Sequence, residues 1–298
     1  MKEEILDILK NADGYISGER ISEMLNVSRT AIWKHIKSLR ESGYKIESVT
    51  NKGYRLISSP DIITESGIKS GLTTDFIGHN LFIYDETDTT NNRAKESNSS
   101  PDGSVFIAEV QTHGKGSRGR GWTSPRGIGI WHSILLKPEI SPLEVSQITL
   151  VAGLAVCKAI GLNSMIKWPN DIVINGKKIC GILIKNSFEG ENVKKSITGI
   201  GVNVNNDIPK DLADIAINLK SVVGEVDIDE FYKRLIENLY ADYSVDEYRS
   251  RNIVLGKEIT VIKNGESRKS VAEDVAADGS LVLKGGERLF YGEVTIRF

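Results

Sequence analysis

Cysteine and histidine are scarce in this chain. Its 298 residues include two cysteines, Cys157 and Cys180, and four histidines. These residues show no ligand spacing, which argues against a zinc site. Because each cysteine stands among apolar residues, we expect two reduced core thiols, as in a cytoplasmic protein, and no disulfide.

The chain also has no large excess of positive or negative residues. The chain has 38 Lys and Arg residues against 40 Asp and Glu residues, a formal net charge of −2. A protein with this balance is not drawn to polyanions as a whole. Any surface for nucleic acid must therefore be local.

A long hydrophobic run is also absent. No apolar stretch approaches the ~20 residues that a membrane-spanning helix needs. The acidic, amphipathic start MKEEILDILK lacks the pattern of a signal peptide. What remains is a globular composition, 40% hydrophobic, which predicts two or three domains in a cytoplasmic protein.

Residues 1–58 predict three helices followed by a hairpin. Ser28 is a good N-cap for a third helix over 29–42, and two short strands about a turn follow at 44–49 and 54–57. Helix, turn, helix and hairpin is the layout of a winged helix-turn-helix domain. The third helix of such a domain enters the major groove of DNA.

The predicted third helix is locally basic, with four cations against one acid. The candidate DNA contacts are Ser28, Arg29, Thr30, Lys34 and Lys37 on this helix, with Lys52 and Arg55 on the wing. We expect Trp33 to be a core residue or a packing lid rather than a base-stacking residue. The alternative for this segment is a small helical domain that contacts protein, with solvated charges.

The pattern changes beyond a linker signal at Ser58-Ser59-Pro60-Asp61. Helical segments, including 141–160, separate strand-like runs at 104–110, 128–136, 172–174, 179–185 and 196–204. This alternation predicts an α/β or α+β domain large enough to hold a ligand pocket.

From Val254 onward, short strands alternate with turns. The strands are predicted at 258–263, 270–277, 280–284, 288–292 and 293–298, with turns at Asn264-Gly265, Asp278-Gly279 and Gly285-Gly286. This predicts a small SH3-like β-barrel. The predicted domains are 1–60, 61–250 and 251–298.

The central domain contains a basic, glycine-rich loop, GKGSRGRGW, at 114–122. Glycines can adopt positive φ and expose successive backbone amides, which form an anion-binding concavity. Lys115, Arg118 and Arg120 add donors suited to phosphate, and Trp122 offers a flat face for a ring. A merely solvated basic loop is the alternative interpretation.

Three further motifs favour a binding site. In KWPNDI (167–172) and GKKICGIL (176–183), strand-like runs flank a hairpin turn, and a lysine at the start of a strand can clamp a negatively charged transition state. In GIGVNVN (199–205), alternate glycines leave one strand face bare for a flat ligand, and Asn203 can pair with a heteroaromatic edge. The alternative is that Lys177 and Lys178 are ordinary charged residues of the hairpin with no role in binding.

In their order and spacing, these segments resemble the family of bifunctional biotin–protein ligases and biotin operon repressors. The resemblance covers nearly the whole chain, from the winged helix through the four motifs to a C-terminal barrel with Gly292-Glu293-Val294. It implies a multidomain α+β protein whose central domain is class II synthetase-like.

The resemblance also implies an activity. The family makes biotinyl-5′-AMP from biotin and ATP with Mg²⁺, releases pyrophosphate, and passes biotin to one lysine of a carboxyl carrier domain such as that of acetyl-CoA carboxylase. The adenylate-bound form dimerises and represses biotin synthesis or uptake operons. The implied partners are the carrier domain, operator DNA and a second copy, with no membrane.

The site residues are carried over from matching motif positions. The implied biotin-binding residues are Thr89, Thr90, Asn91, Gln111, Gly114, Lys115, Lys178 and Gly181. The implied ATP- and adenylate-binding residues are Gly116, Ser117, Arg118, Arg120, Trp122, Asn170 and Asn203. The implied catalytic residues are Lys178, Lys115, Arg118 and Asp171, and none is assigned as a dedicated metal ligand.

In this family, Lys178 would contact both the activated carboxyl group and the phosphate, and Asp171 would orient the incoming lysine or the metal. The chain departs from the pattern at Ser117, where the family often has arginine, so one cation is lost. Lys115 keeps a charge but lacks the bidentate fork of arginine.

Three alternatives remain. The chain could be a ligand-sensing repressor without ligase activity, a lipoate ligase on the same domain, or a biotin ligase whose first 58 residues only stabilise the enzyme.

Overall fold

The computed structural model describes residues 1–59, 63–126, 129–138, 140–142, 144–190, 192–263, 265–290 and 295–297. Parts of several predictions lie outside the described residues: the linker at Pro60-Asp61, the start of a strand at Ile128, the turn residue Asn264, and Gly292-Glu293-Val294. Among the residues that are described, no helix is both long and apolar enough to cross a membrane.

The N-terminal segment is a helix-turn-helix with a hairpin, as predicted. Its elements are α1 (Lys2–Asn11), α2 (Gly18–Leu25), α3 (Arg29–Glu41), β1 (Lys45–Val49) and β2 (Gly53–Ser58). Ser17 and Ser28 cap α2 and α3 by accepting the backbone N–H groups of Arg20 and Ala31. The core consists of Ile5, Leu6, Leu9, Ile21, Ile32, Ile36, Leu39, Tyr44 and Ile46.

The central part is a seven-stranded mixed sheet with helices. Its elements are α4 (Glu65–Lys69), β3 (Leu81–Thr87), α5 (Thr90–Glu96), β4 (Ser104–Gln111), β5 (Ile130–Leu136), α6 (Val145–Ile160), β6 (Met165–Lys167), β7 (Asp171–Ile174), β8 (Lys177–Glu189), β9 (Asn192–Val202), α7 (Lys220–Val223), α8 (Ile228–Tyr240) and α9 (Val245–Ser250). The strand order is β3-β4-β5-β9-β8-β7-β6. Only β3 and β4 pair in parallel among these strands.

The sheet has two chemically different faces. Helices α6 and α8 cover one face, and the apolar residues of alternate strand positions, such as Ile182, Ile200 and Val202, join the main core there. Cys157 and Cys180 are buried free thiols in this core, as predicted, and burial raises the pKa of Cys157 to about 11. On the opposite face, α5 covers a small apolar cluster that contains Phe106, Leu135 and Ile197, and glycines and polar residues lie beside it.

The C-terminal part is an antiparallel sheet. Its strands are β10 (Glu258–Lys263), β11 (Glu266–Val275), β12 (Leu281–Leu283), β13 (Arg288–Leu289) and β14 (Thr295–Arg297). They pair in the order β13-β12-β11-β10-β14. Within the described strands, no pairing closes this sheet into a barrel, so the predicted SH3-like closure is not shown.

A buried hydrogen-bond cluster joins the helix-turn-helix segment to α8. The carboxylate of Asp229 is fully buried and accepts from the hydroxyl of Tyr44 at 2.7 Å and from the backbone N–H of Thr64 at 3.1 Å. Burial raises the pKa of Asp229. Lys10 of α1 also pairs with Glu230 of α8. These contacts fix the first segment onto the helix that supports the central sheet.

His132 gives the fold a predictable pH dependence. It lies on β5, is 1% exposed, and shares a hydrogen bond with the hydroxyl of Tyr232 on α8. Burial lowers the pKa of His132 from 6.5 to about 3. Below pH 6.5 the unfolded chain therefore takes up a proton that the folded chain does not. The folded protein loses stability as the pH is lowered from about 6.5 to about 3.

We expect His132→Gln to remove this dependence. Between pH 7.5 and 5.5, the wild-type protein should lose about 1.4 kcal/mol more unfolding free energy than the variant. Urea denaturation followed by tryptophan fluorescence at both pH values measures the difference. An equal loss in both proteins would contradict the assigned burial.

Candidate active site

A cavity of about 290 Å³ lies against the glycine-bearing face of the central sheet. The predicted site residues that line it are Thr89, Thr90, Asn91, Gln111, Lys115, Gly116, Ser117, Arg120, Trp122, Asn170, Asp171, Lys178, Gly181 and Asn203. Two other predicted residues, Gly114 and Arg118, do not belong to this lining. The structure thus brings most of the predicted residues to one place, and their individual roles remain predictions.

The floor of the cavity is one row of residues across four strands. The register pairs Asp171 with Gly181, Gly181 with Gly201, and Gly201 with Trp131. A Cβ added at Gly201 would come within 2.5 Å of the Trp122 indole nitrogen, and one added at Gly181 within 2.9 Å of the same ring. The glycines are therefore needed for a flat group to approach the sheet closely.

A β-bulge turns Lys178 toward this floor. Ile172 pairs with Cys180, but the next residue, Val173, pairs with Lys178, so Ile179 is an extra residue on β8. Ile179 and Cys180 both enter the core, which leaves Lys178 on the cavity side. Without the bulge, simple alternation would place Ile179 on the same face as Gly181.

Lys178 forms the main ion pair of the cavity. Its ammonium lies 2.6 Å from Oδ1 of Asp171 and 5.2 Å from the ring centroid of Trp122. The neighbouring Lys177 points elsewhere, donating to the carbonyl of Ala213. The two adjacent lysines are thus clearly separated, and only one of them lines the cavity.

The basic loop folds as a tight hairpin over the cavity. The backbone N–H of Trp122 donates to the carbonyl of Gly114 at 2.9 Å, and that of Gly116 donates to the carbonyl of Arg120 at 2.7 Å. Gly119 has φ +74°, a conformation that favours glycine. This folding places the indole of Trp122 edge-on to Trp131, with ring centroids 6.3 Å apart.

Three basic side chains line the cavity near the hairpin. Lys115 and Arg120 join Lys178 in the lining, and Lys115 donates to the side-chain carbonyl of Asn92 at 3.0 Å. Burial, with added repulsion from Lys115 and Lys95, lowers the pKa of Lys185 on β8. The three lining cations face the same space, and an anionic ligand would neutralise their charge.

A polar end of the cavity is built at the start of α5. Oε1 of Gln111 accepts from the backbone N–H and the hydroxyl of Thr90 at 2.8 and 3.1 Å, and that hydroxyl lies 2.8 Å from the hydroxyl of Ser133. In contrast, the hydroxyl of Thr89 and Oδ1 of Asn91 are buried without a hydrogen-bond partner in the part of the chain described. Such orphaned groups suit a ligand with both donors and acceptors.

One wall of the cavity was missed by the sequence analysis. It is formed by Asn206, Asp207, Ile208, Pro209, Leu212, Ile215 and Ala216. The backbone N–H of Lys178 donates to the carbonyl of Ile215 at 2.8 Å, which attaches this segment to the start of β8. The asparagine-rich run NVNND was the available signal, because such side chains stabilise irregular backbone.

The candidate DNA surface lies at the other end of the chain. Ser28, Arg29, Thr30, Lys34, Lys37, Lys52 and Arg55 are all exposed. Arg55 stacks on Tyr15, with its guanidinium carbon 4.8 Å from the ring centroid. The prediction for Trp33 was wrong, since its side chain is 53% exposed and the core closes without it.

Comparisons with known proteins agree with this arrangement. Residues 2–55 match the model of an HTH domain, and residues 82–203 match the Biotin/lipoate A/B protein ligase family. The chain is 43% identical over 235 residues to the Bifunctional ligase/repressor BirA of Bacillus subtilis, covering 76% of this chain and 72% of that protein. It is 31% identical over 209 residues to the protein of the same name from Escherichia coli, covering 67% and 63%.

A solved structure is also similar. A biotin protein ligase from Aquifex aeolicus, in complex with biotin and ATP, superposes with a TM-score of 0.62 at 31% identity. The match covers 74% of this chain and 99% of that one.

Proposed function

We propose that this chain, which belongs to the family of bifunctional biotin ligases and repressors, activates biotin with ATP. It then transfers the biotin to a lysine of a biotin carboxyl carrier domain. The observation that carries the proposal is the Lys178–Asp171 pair beside a glycine floor, against which the Trp122 indole of the basic hairpin lies. A flat ligand fits beside the indole, and an anion fits the cations.

The first step brings together two anions, the carboxylate of biotin and the polyphosphate of ATP. Lys178, Lys115 and Arg120 supply the positive groups that lower their repulsion and stabilise charge in the transition state. The ureido group of biotin would pair with the orphaned groups of Thr89 and Asn91. These contacts orient the attacking carboxylate toward the α-phosphate.

Mg²⁺ would fit this step with few protein ligands. Described residues hold no group of three or more His, Cys, Asp or Glu side chains that could form a complete metal site. Mg²⁺ is usually held by phosphates and one or two carboxylates, and Asp171 and Asp207 line the cavity. When bound, it would neutralise charge on the phosphates.

In the second step, a neutral lysine amine of the carrier attacks the acyl carbon of the adenylate. An amide bond forms, the acyl–phosphate bond breaks, and AMP and a proton leave. Asp171 lies beside Lys178, where it can orient the incoming amine. The mixed anhydride is sensitive to water, so the hairpin at 114–122 must cover it until the amine arrives.

Incubation with labelled biotin, ATP and an apo carrier domain tests the ligase function. We expect label on the carrier and release of pyrophosphate. Absence of transfer would favour the alternative of a ligand-sensing repressor. Competition by lipoate in the adenylation step would favour the lipoate alternative.

We expect biotin with ATP to protect the loop at 114–122 from proteolysis. Arg118, Arg120 and Lys115 are candidate cleavage sites for trypsin in an exposed basic hairpin, and the adenylate should fix the hairpin through charge-assisted hydrogen bonds. Limited digestion followed by mass spectrometry measures cleavage within the loop. Equal cleavage with and without ligands would contradict closure, and biotin alone is the control.

The regulatory part of the proposal concerns the first segment. The helix-turn-helix would bind operator DNA of biotin synthesis or uptake genes as a homodimer when the adenylate is bound. The proposed domains are 1–60, 61–250 and 251–298, of which the second is class II synthetase-like and the third SH3-like. Sedimentation with and without biotin and ATP tests the dimer.

A further inference from the structure

Trp33 is an exposed aromatic residue in the middle of a basic helix face. Its side chain is 53% exposed, whereas Trp131 and Trp168 are 1% and 2% exposed. Arg29, Trp33 and Lys37 follow one another at i, i+4 and i+8 on α3, so they lie along one side of the helix. The ammonium of Lys37 is 5.9 Å from the Trp33 ring centroid.

The indole is not needed to close the core of its own domain. On α3, the core residues are Ile32, Ile36 and Leu39, each at most 1% exposed. An indole left outside a complete core is a common sign of a contact surface. A molecule that binds this surface must also neutralise Arg29 and Lys37, which flank Trp33.

We propose that Trp33 is a specificity residue for duplex DNA, with the apolar edge of its indole packed against the C5-methyl group of a thymine in the major groove. This inference rests on the proposed DNA-binding function. The flanking cations would bind phosphate, which positions the helix but carries no sequence information. A thymine methyl is the one apolar group that a base edge presents in the major groove, and an apolar side chain can read it.

The first part of the test identifies a binding sequence. The full-length protein, with biotin and ATP, selects duplexes from a random pool at fixed salt. Each thymine of the selected sequence is then replaced singly by uracil, which removes only the C5-methyl group. Affinity is measured for the wild-type protein and for Trp33→Ala.

We expect one uracil replacement in each half-site to weaken wild-type binding about tenfold. Trp33→Ala should bind the unmodified duplex about tenfold more weakly and should be indifferent to that same uracil. Its affinity for unrelated duplexes and its salt dependence should be unchanged, because no charge is lost. Trp33→Phe, which keeps an apolar ring, should retain part of the thymine preference.

Two control variants separate this role from others. Met24→Ala removes another exposed apolar side chain, 58% exposed, from α2 and should keep the full thymine preference. Lys34→Ala should weaken binding to all sequences and reduce the salt dependence.

Three outcomes count against the inference. A Trp33→Ala protein that still distinguishes thymine from uracil at every position would overturn it. So would a variant whose only defect is loss of a concentration-dependent dimer, since Trp33 would then contact a second copy. If the pool yields no preferred sequence at all, the proposed repressor function fails together with it, and this result is distinct from the first two.

Discussion

Lys178→Ala should slow the formation of biotinyl-adenylate at least ~100-fold, the scale expected when one preorganised donor to a transition state is removed. The ammonium of Lys178 lies 2.6 Å from Asp171 and faces the cavity because of the β-bulge in β8. Its removal deletes a positive charge where carboxylate and phosphate meet and leaves Asp171 as an unpaired anion there. Both effects raise the barrier.

The measurement is pyrophosphate release in single-turnover conditions, together with the affinity for biotin. Lys177→Ala is the matched control, since it removes the same side chain one residue away, where the ammonium bonds only to the carbonyl of Ala213 in the described contacts. That variant should release pyrophosphate within a few fold of the wild-type rate. Near-normal release by Lys178→Ala would show that the assigned role is wrong.

Lys178→Arg adds a second comparison. Arginine keeps the charge, but its planar fork cannot occupy the place of a compact ammonium between Asp171 and the indole of Trp122. We expect a partial loss of rate. A full recovery would indicate that charge alone matters at this position.

The sequence predicts the helix-turn-helix well because its signals are local. Ser28 does cap α3, and the turn and hairpin follow within the next residues. The predicted strand runs of the central domain are also found, although β8 extends over 177–189 rather than 179–185 and β9 over 192–202 rather than 196–204. The predicted helix from 141 begins at Val145, and the strands β3 and β6 were not predicted. The outer part of β8 is mostly exposed and has no apolar run to mark it. It is a strand because it pairs with β9, from Glu189 and Asn192 onward.

The site is less visible in the sequence than its motifs suggest. Which of Lys177 and Lys178 faces the cavity depends on the bulge at Ile179, and no residue type marks that bulge. The wall at 206–216 reaches the cavity through a backbone contact with β8, which is a tertiary effect. The prediction for Trp33 failed because tryptophan side chains are buried on average, and the sequence does not mark an exposed one.

The second large effect concerns the glycine floor of the cavity. Gly201 lies on β9 between Gly181 and Trp131, and its φ is not positive, so a β-branched residue can take its backbone conformation without strain. The added side chain would enter the space next to the Trp122 indole, where a Cβ alone comes within 2.5 Å of the indole nitrogen. The ligand and the indole must then compete for less room.

Gly201→Val should therefore weaken biotin binding roughly ten- to hundredfold while the protein remains folded, because overpacking a close contact costs about 1–3 kcal/mol. Calorimetric titration with biotin measures the affinity, and thermal unfolding measures the stability. Val202→Ala is the contrasting variant: Val202 is fully buried on the opposite face of the same strand, so its truncation should lower stability and leave the affinity for biotin nearly unchanged. If Gly201→Val binds biotin as tightly as the wild-type protein does, the glycine row is not the floor on which the ligand lies.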